Sequence, residues 1–125
     1  PENSALFRIG RLLAAMDRNC ARDWSLDSMA SFVHMSQSDF RRKFLAATGR
    51  TPIAWLLRLR LQKAARLLRL SASIGETAMS VGFADTNYFS RQFRALYEIS
   101  PRELRRRDGL PIAMRERKRQ GRQSG

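Results

Sequence analysis

Side chains that can hydrogen-bond to the edges of nucleic-acid bases recur in two short segments of similar pattern. Arg42 follows Phe40 by two residues in the first segment, and Arg91 follows Phe89 by two in the second, where Asn87 comes just before. An arginine fork pairs bidentately with guanine O6 and N7, and an asparagine amide pairs with adenine N6 and N7. These residue types favour contact with nucleic acid if both segments hold them outward.

The aromatic residues fix which side chains face outward if both segments are helical. Successive residues of an α-helix are rotated by about 100°, so residues four apart share a face. We expect Phe40 and Phe44, and likewise Phe89 and Phe93, to point into a core. The outward residues are then Ser38, Arg41, Arg42 and Leu45 in the first segment and Asn87, Ser90, Arg91 and Arg94 in the second. In a single helix, such an outward face could simply be a solvated surface. The same pattern at matching positions in both segments favours a binding surface.

Both segments belong to a longer internal repeat. Ala30 and Val33 are matched by Ala78 and Val81 at an offset of 48 residues. Later matches lie at an offset of 49 residues: Phe40/Phe89, Arg42/Arg91, Phe44/Phe93, Ala46/Ala95 and Pro52/Pro101. One residue, most simply Ala84, is therefore inserted in the second copy. Each copy has the pattern of a helix-turn-helix, and two such units in a basic chain indicate DNA binding.

Composition limits the alternatives. A chain of 125 residues allows one small domain or two subdomains that share an element. The net charge is +13, and 21 of the 24 basic residues are Arg, which suits phosphates and guanine edges. Charge alone would also suit RNA, other polyanions or an anionic membrane surface. A non-specific nucleic-acid or RNA-binding module therefore stays open as the alternative.

The remaining reactive residues do not indicate an enzyme. A single Cys20 and a single His34 exclude an intramolecular disulfide and a thiolate–imidazole metal site, so no metal or cofactor is expected. His34 has no nucleophile or orienting carboxylate in its pattern, and it lies where the second copy has Gly82, which indicates a turn with positive φ. Tyr88 suits either packing or a phosphate contact. Core positions are expected for Cys20, Trp24 and Trp55.

Seven helices are predicted, which gives an all-α fold. Expected helix starts are capped by Ser25, Ser36, Ser73, Asp85 and Ser100, with Asp39 and Glu76 in the reciprocal position of a capping box. The predicted helices cover about 5–21, 26–33, 37–47, 52–70, 74–81 and 86–97, with a short one from 101. On the fourth helix, the inward face is predicted to hold Ile53, Leu57, Leu61, Ala64 and Leu68, widened by Leu56, Leu59 and Leu67.

The predicted organisation is a first helix-turn-helix subdomain at 5–50, a linker helix at 51–70, a second subdomain at 71–108 and a basic tail at 109–125. A linker of ~19 residues would span roughly 28 Å, close to the ~34 Å between successive major grooves on one DNA face. From residue 105 on, eight basic and two acidic residues supply +6 of the net charge. This composition predicts a disordered tail that binds phosphate without sequence preference. No apolar run approaches the ~20 residues of a membrane span, and a cytoplasmic protein is expected.

Several stretches together resemble the DNA-binding domain of the AraC/XylS family of bacterial transcription regulators. The stretches that show the resemblance are Met35-Ser36, Phe40 to Phe44, Gly49 to Pro52, Arg60 to Leu68 and above all Ile74 to Phe93 with Ser100-Pro101. The resemblance covers about residues 6–105. It implies two helix-turn-helix subdomains joined by the fourth helix, which bind asymmetric promoter sites, usually to activate transcription. Two departures, Glu98 for a glycine and Leu104 for an aromatic residue, concern the packing of the seventh helix.

The resemblance also implies which residues contact DNA. Base contacts are implied at Ser38, Arg41, Arg42, Thr86, Asn87 and Arg91, nearly the set on the outward faces. Phosphate contacts are expected from Ser36, Gln37, Arg50, Asp85, Tyr88, Ser90 and Arg94, several of them at capped helix starts. The expected partners are double-stranded promoter DNA and RNA polymerase, with no membrane. Effector binding or dimerisation would use an N-terminal domain that is absent from this chain.

Overall fold

A computed structural model of the chain describes residues 4–70 and 73–107. Within these ranges the fold is all-α, as predicted, with seven helices: α1 (Ala5–Arg18), α2 (Leu26–Phe32), α3 (Gln37–Thr48), α4 (Pro52–Leu68), α5 (Ile74–Ser80), α6 (Thr86–Tyr97) and α7 (Pro101–Arg106). None of these helices is long and apolar enough to cross a membrane. The predicted basic tail at 109–125 lies outside the described residues.

The helices group into two compact units. The first unit extends to Arg60 and the second begins at Leu61, so each includes part of α4. The first unit therefore contains α1 to α3, and the second contains α5 to α7.

The first unit is packed around a continuous apolar core. The spacing of Leu6, Ile9, Leu13 and Met16 predicts the inward face of α1. Ile9 and Met16 are buried with the phenylalanines of α3, but Leu6 is 70% exposed and Leu12 is buried instead. Trp24 is buried, as predicted, and its indole N–H donates to the Asn19 carbonyl at 2.9 Å. This bond satisfies the one polar atom of the ring, so the tryptophan can serve as core.

Two arginines hold the loops of the first unit. The Arg8 guanidinium donates to the Val33 carbonyl at 2.9 Å, just after α2. Arg60 donates to the carbonyls of Cys20 and Arg22 at 2.8 and 2.9 Å. Both arginines satisfy carbonyl groups that lie outside the hydrogen-bond ladders of the helices. Partial burial lowers the pKa of Arg60 from its usual value, although the group stays protonated.

The second unit is built on a row of aromatic rings. Phe83, Phe89, Phe93 and Tyr97 follow one another with ring centroids 5.1, 5.6 and 4.8 Å apart. Leu104 of α7 is fully buried, so the leucine replaces the usual aromatic residue without leaving the helix unpacked. Glu98 ends α6 in the left-handed conformation at φ 65°, the region that a glycine would occupy without strain.

Several further local predictions are wrong. Asn19 ends α1 three residues early, and α4 ends at Leu68. Ile53 is 50% exposed, because Pro52 and Leu56 are the residues that turn inward at the start of α4. The predicted capping boxes of α3 and α5 are half formed. The Ser36 hydroxyl accepts the Asp39 N–H at 3.2 Å and the Ser73 hydroxyl accepts the Glu76 N–H at 3.0 Å, but neither box has the return bond from the acid among the described residues.

One complete capping box was missed. At the start of α2, the Ser25 hydroxyl accepts the Ser28 N–H at 3.0 Å and the Ser28 hydroxyl accepts the Ser25 N–H at 2.9 Å. A serine replaces the Glu or Gln that usually closes this motif, which is why the sequence did not reveal it.

Candidate nucleic-acid interface

The turn of each helix-turn-helix is closed by the same backbone hydrogen bonds. After α2, the N–H groups of His34 and Met35 donate to the Ser31 and Ala30 carbonyls, both at 3.1 Å. The turn conformation is left-handed at His34, with φ 57°. This confirms the prediction that His34 is a turn residue, for which its position opposite Gly82 was the signal.

The second turn repeats these bonds 48 residues later. The N–H groups of Gly82 and Phe83 donate to the Met79 and Ala78 carbonyls at 3.1 and 2.8 Å. The following cap, however, is Asp85, which lies 49 residues after Ser36. The extra residue therefore lies between Phe83 and Asp85, which confirms Ala84 as the insertion.

The second helix of each motif presents the predicted face. Phe40, Phe44, Phe89 and Phe93 are fully buried. Ser38, Arg41, Arg42 and Leu45 of α3 are exposed, as are Thr86, Asn87, Arg91 and Arg94 of α6, while Ser90 is half-buried. All six candidate base-contacting residues thus lie on solvent-facing surface, three on α3 and three on α6.

The candidate phosphate-contacting residues lie around the starts of the same helices. Asp85 caps α6 by accepting the Asn87 N–H at 2.9 Å, and Ser36 caps α3. Gln37 donates to the Asp27 carboxylate at 3.3 Å, and Arg50 is exposed beyond the end of α3. Tyr88 is 41% exposed and its ring lies 6.0 Å from Phe83, so it packs on one side and faces solvent on the other.

The electrostatic surroundings of the two matched arginines differ. Arg42 and Lys43 form ion pairs with separate oxygens of the Asp39 carboxylate, the lysine at 2.9 Å. The hydrogen bond from Lys43 lowers the pKa of Asp39 below its usual value, and the charge of Arg42 acts in the same direction. Arg91 instead lies over the Tyr88 ring, 5.9 Å from its centroid.

The ion pairs of Asp39 with Arg42 and Lys43 were not predicted from the sequence. The signal was present, since an acid followed by bases three and four positions later forms ion pairs along one helix face. Asp39 was assigned to the helix cap instead, because its position also fits a capping box.

Two helix-turn-helix motifs, each with exposed arginine on its second helix, define a DNA-binding domain. Residues 29–107 match the helix-turn-helix domain family. The chain belongs to the AraC/XylS family of DNA-binding domains.

Similar proteins include regulators of this type. The HTH-type transcriptional activator RhaS of Escherichia coli K12 is 42% identical over 111 residues, which cover 87% of this chain and 40% of RhaS. The chain thus spans about two fifths of the length of the curated relatives it matches.

Solved structures show the same likeness. The DNA-binding domain of AdpA, a global transcriptional factor in complex with a target DNA, has a TM-score of 0.76 at 28% identity, covering 78% of this chain and 89% of AdpA's. An AraC-type transcriptional regulator from Chromobacterium violaceum has a TM-score of 0.73 at 30% identity, covering 81% of this chain and 91% of its own.

Proposed function

We propose that this chain recognises an asymmetric, two-part site on double-stranded DNA, with α3 and α6 in successive major grooves, and so regulates bacterial transcription as an activator. One observation carries the proposal: the second helices of two helix-turn-helix motifs expose an arginine at the same place in the repeat. An exposed arginine on such a helix is the residue type that reads guanine. RhaS, named an activator, supports the direction of regulation.

Within this proposal the side chains divide into two roles. Direct base contacts come from Ser38, Arg41 and Arg42 on α3 and from Thr86, Asn87 and Arg91 on α6. Phosphate contacts, which fix the orientation of the domain on the duplex, come from Ser36, Gln37, Arg50, Asp85, Tyr88, Ser90 and Arg94.

The length of α4 supports the use of two neighbouring grooves. Its 17 residues correspond to a rod of about 26 Å, and successive major grooves on one face of B-DNA are about 34 Å apart. Side-chain reach and bending of the DNA would supply the difference. The proposed organisation remains two helix-turn-helix subdomains, at 5–50 and 71–108, joined by a linker at 51–70.

The alternative is a basic module that binds any duplex or RNA, which the net charge of +13 favours. Both functions predict a strong loss of affinity with salt, roughly 10³–10⁵-fold between 50 and 200 mM for 6–10 phosphate contacts. They differ in specificity, because base readout predicts a preference of ~10³ or more for a chosen site over random duplex. Selection of bound sequences from a random pool would separate them by yielding a gapped motif or none.

The setting of this activity is part of the proposal. The chain works in the cytoplasm and contacts RNA polymerase, and a further N-terminal domain supplies effector binding or dimerisation; the greater length of the relatives supports such a domain. The tail at 109–125 adds phosphate binding without sequence preference.

The test replaces one arginine at a time. Arg42→Ala should cost about 1–3 kcal/mol of binding and relax base preference in one half of the site only, and Arg91→Ala should do the same in the other half. Because the two grooves share no partner, the double variant should be additive within about 0.5 kcal/mol. A panel of single-base duplex variants measures each half separately. If Arg42→Ala weakened all duplexes equally and left every preference intact, α3 would be a phosphate anchor.

A further inference from the structure

Asp39 is held at both its backbone and its carboxylate. Its N–H donates to the Ser36 hydroxyl at the start of α3. Its carboxylate accepts Arg42 Nη2 on one oxygen and Lys43 Nζ on the other, at 2.9 Å for the lysine. A carboxylate in the first turn of a helix is further stabilised by the helix dipole. The acid is thus a fixed, ionised group beside the arginine.

The contribution of this arrangement to the stability of the fold is small. The Arg42 side chain is 73% exposed and that of Asp39 is 31% exposed. Ion pairs between exposed groups contribute little to folding, because water screens the charges and the long side chain loses rotamer freedom. The pair does, however, restrict the orientation of the Arg42 guanidinium.

The pairing still leaves Arg42 able to bind a base. A guanidinium carries five N–H donors in a rigid fork, two of them on Nη2. Only one Nη2 hydrogen is needed for the carboxylate, and the other Nη2 hydrogen and the Nη1 hydrogens remain available to guanine O6 and N7. A side chain ordered before binding loses less freedom when it binds.

The matched helix α6 lacks this pair, although the same arrangement occurs on α7, where the Glu103 carboxylate pairs with Arg106 and Arg107. Tyr88 occupies the place of Asp39 in the repeat, and Gln92 that of Lys43. Arg91 lies over the tyrosine ring rather than against a carboxylate. The two arginines at the same repeat position are therefore held by different means.

We propose that Asp39 is a specificity-determining positioning residue: it orients the Arg42 guanidinium for bidentate pairing with guanine in the half-site read by α3. The inference rests on the proposed function of Arg42 as a base-reading residue. It carries a cost, since the carboxylate adds a negative charge near the DNA phosphates. Asp39 thus lowers affinity for every duplex while it sharpens the choice of base.

Removing the charge of Asp39 should therefore raise affinity for every duplex and weaken the preference for guanine, and both can be measured. In the 125-residue chain, Asp39→Asn keeps the size of the side chain and removes its charge. Affinity for a random duplex should rise roughly twofold, the effect of one charge about 10 Å away in water. Preference for guanine in the α3 half-site should fall roughly five- to tenfold, a part of what a bidentate pair supplies. The α6 half-site should keep its preferences, which also shows that the variant is folded.

Glu76→Gln is the matched control. Glu76 lies at the same place in α5, where its N–H donates to the Ser73 hydroxyl at 3.0 Å, but Met79 and Ser80 follow it in place of bases. This variant should raise affinity for random duplex by a similar factor and change no base preference. A loss of guanine preference in Glu76→Gln equal to that in Asp39→Asn would overturn the proposal, because general charge would explain both.

A double variant assigns the effect. On the Arg42→Ala background, Asp39→Asn should alter no base preference; a change there would mean that Asp39 reads a base itself, which overturns the proposal. Unchanged or increased guanine preference in Asp39→Asn alone, with a clear loss in Arg42→Ala, overturns it too while the proposed function stands. If Arg42→Ala leaves all base preferences intact, Arg42 does not read a base. The proposed function of Arg42 and the role of Asp39 are then both wrong.

Discussion

The two helix-turn-helix motifs agree at most of their buried positions and differ at most of the positions on their outward faces. Their phenylalanine pairs are fully buried, and the turn bonds after α2 and α5 coincide residue for residue. Of the four matched pairs on the outward faces, Arg42 and Arg91 alone are identical, while Ser38, Arg41 and Leu45 are replaced by Asn87, Ser90 and Arg94. Packing constrains the buried set, because close-packed cores tolerate few changes of volume. The outward set is free to diverge, and two different faces suit a site whose halves differ in sequence.

The largest expected effect comes from the buried phenylalanine pairs, which should support the two motifs equally. Phe44→Ala and Phe93→Ala should each cost about 3–5 kcal/mol of folding free energy, the usual range for a buried phenylalanine. Both tryptophans, Trp24 and Trp55, lie in the first unit. Urea unfolding followed by tryptophan fluorescence should therefore detect the loss in Phe44→Ala, and circular dichroism should detect it in Phe93→Ala. A cost below about 1 kcal/mol in either variant would show that its motif is not supported by the aromatic core.

The turns should respond unequally, because their backbone angles differ. Gly82 has φ 109°, beyond the left-handed region that other residues tolerate, whereas His34 has φ 57°, within it. Gly82→Ala should destabilise the chain by roughly 1–3 kcal/mol. His34→Gly should change stability by less than about 1 kcal/mol, since relief of strain and added unfolded-state entropy oppose each other. Equal losses in the two variants, measured by thermal unfolding, would contradict the assigned backbone angles.

A buried hydroxyl distinguishes α5 from α2. Thr77 is buried where the first motif has Met29, and within the described part of the chain its hydroxyl has no hydrogen-bond partner. Thr77→Val removes this unsatisfied group at nearly constant shape and should stabilise the chain by about 1 kcal/mol. Thr48→Val is the control, since that hydroxyl donates to the Phe44 carbonyl at 2.9 Å and its loss should destabilise by a similar amount. Destabilisation by Thr77→Val would indicate a partner for the hydroxyl.

The smallest expected effect is on stability in acid, and it involves one carboxylate in each unit. Hydrogen bonds from Lys43 to Asp39 and from Arg106 to Glu103 lower the pKa of each carboxyl in the folded chain. Each group therefore adds stability that is fully present above its unfolded pKa, near pH 4, and is lost as the pH falls through the lower folded value. Asp39→Asn and Glu103→Gln should flatten the decline in unfolding temperature between about pH 5 and pH 2. An unchanged decline in both variants would show that neither ion pair persists in solution.

The local features of the fold could be predicted from the sequence. Ser25, Ser36, Ser73, Asp85 and Ser100 cap the helices as predicted. The phenylalanine spacing gave the outward faces, and the change of offset located Ala84. Each of these depends on residues a few positions apart, whose geometry is the same in every helix or turn.

Other features depend on residues far apart in the sequence or on competition between local motifs. Nothing near Arg8 or Arg60 indicates that their guanidinium groups hold carbonyls 25 and 38 to 40 residues away. The exposure of Ile53 depends on which side of α4 meets the core, and a wide apolar stripe leaves that undetermined. Asp39 fits both a capping box and an ion pair, and only the folded side chains decide between them.

The burial of Cys20 allows the opening of the first unit to be measured by thiol labelling. It is the single cysteine of the chain, a buried residue of the first unit that is 6% exposed. A thiol reagent can reach it only when that unit opens, so the rate of labelling counts openings of the first unit alone. Comparing this rate with and without DNA would measure how firmly the duplex holds that unit closed.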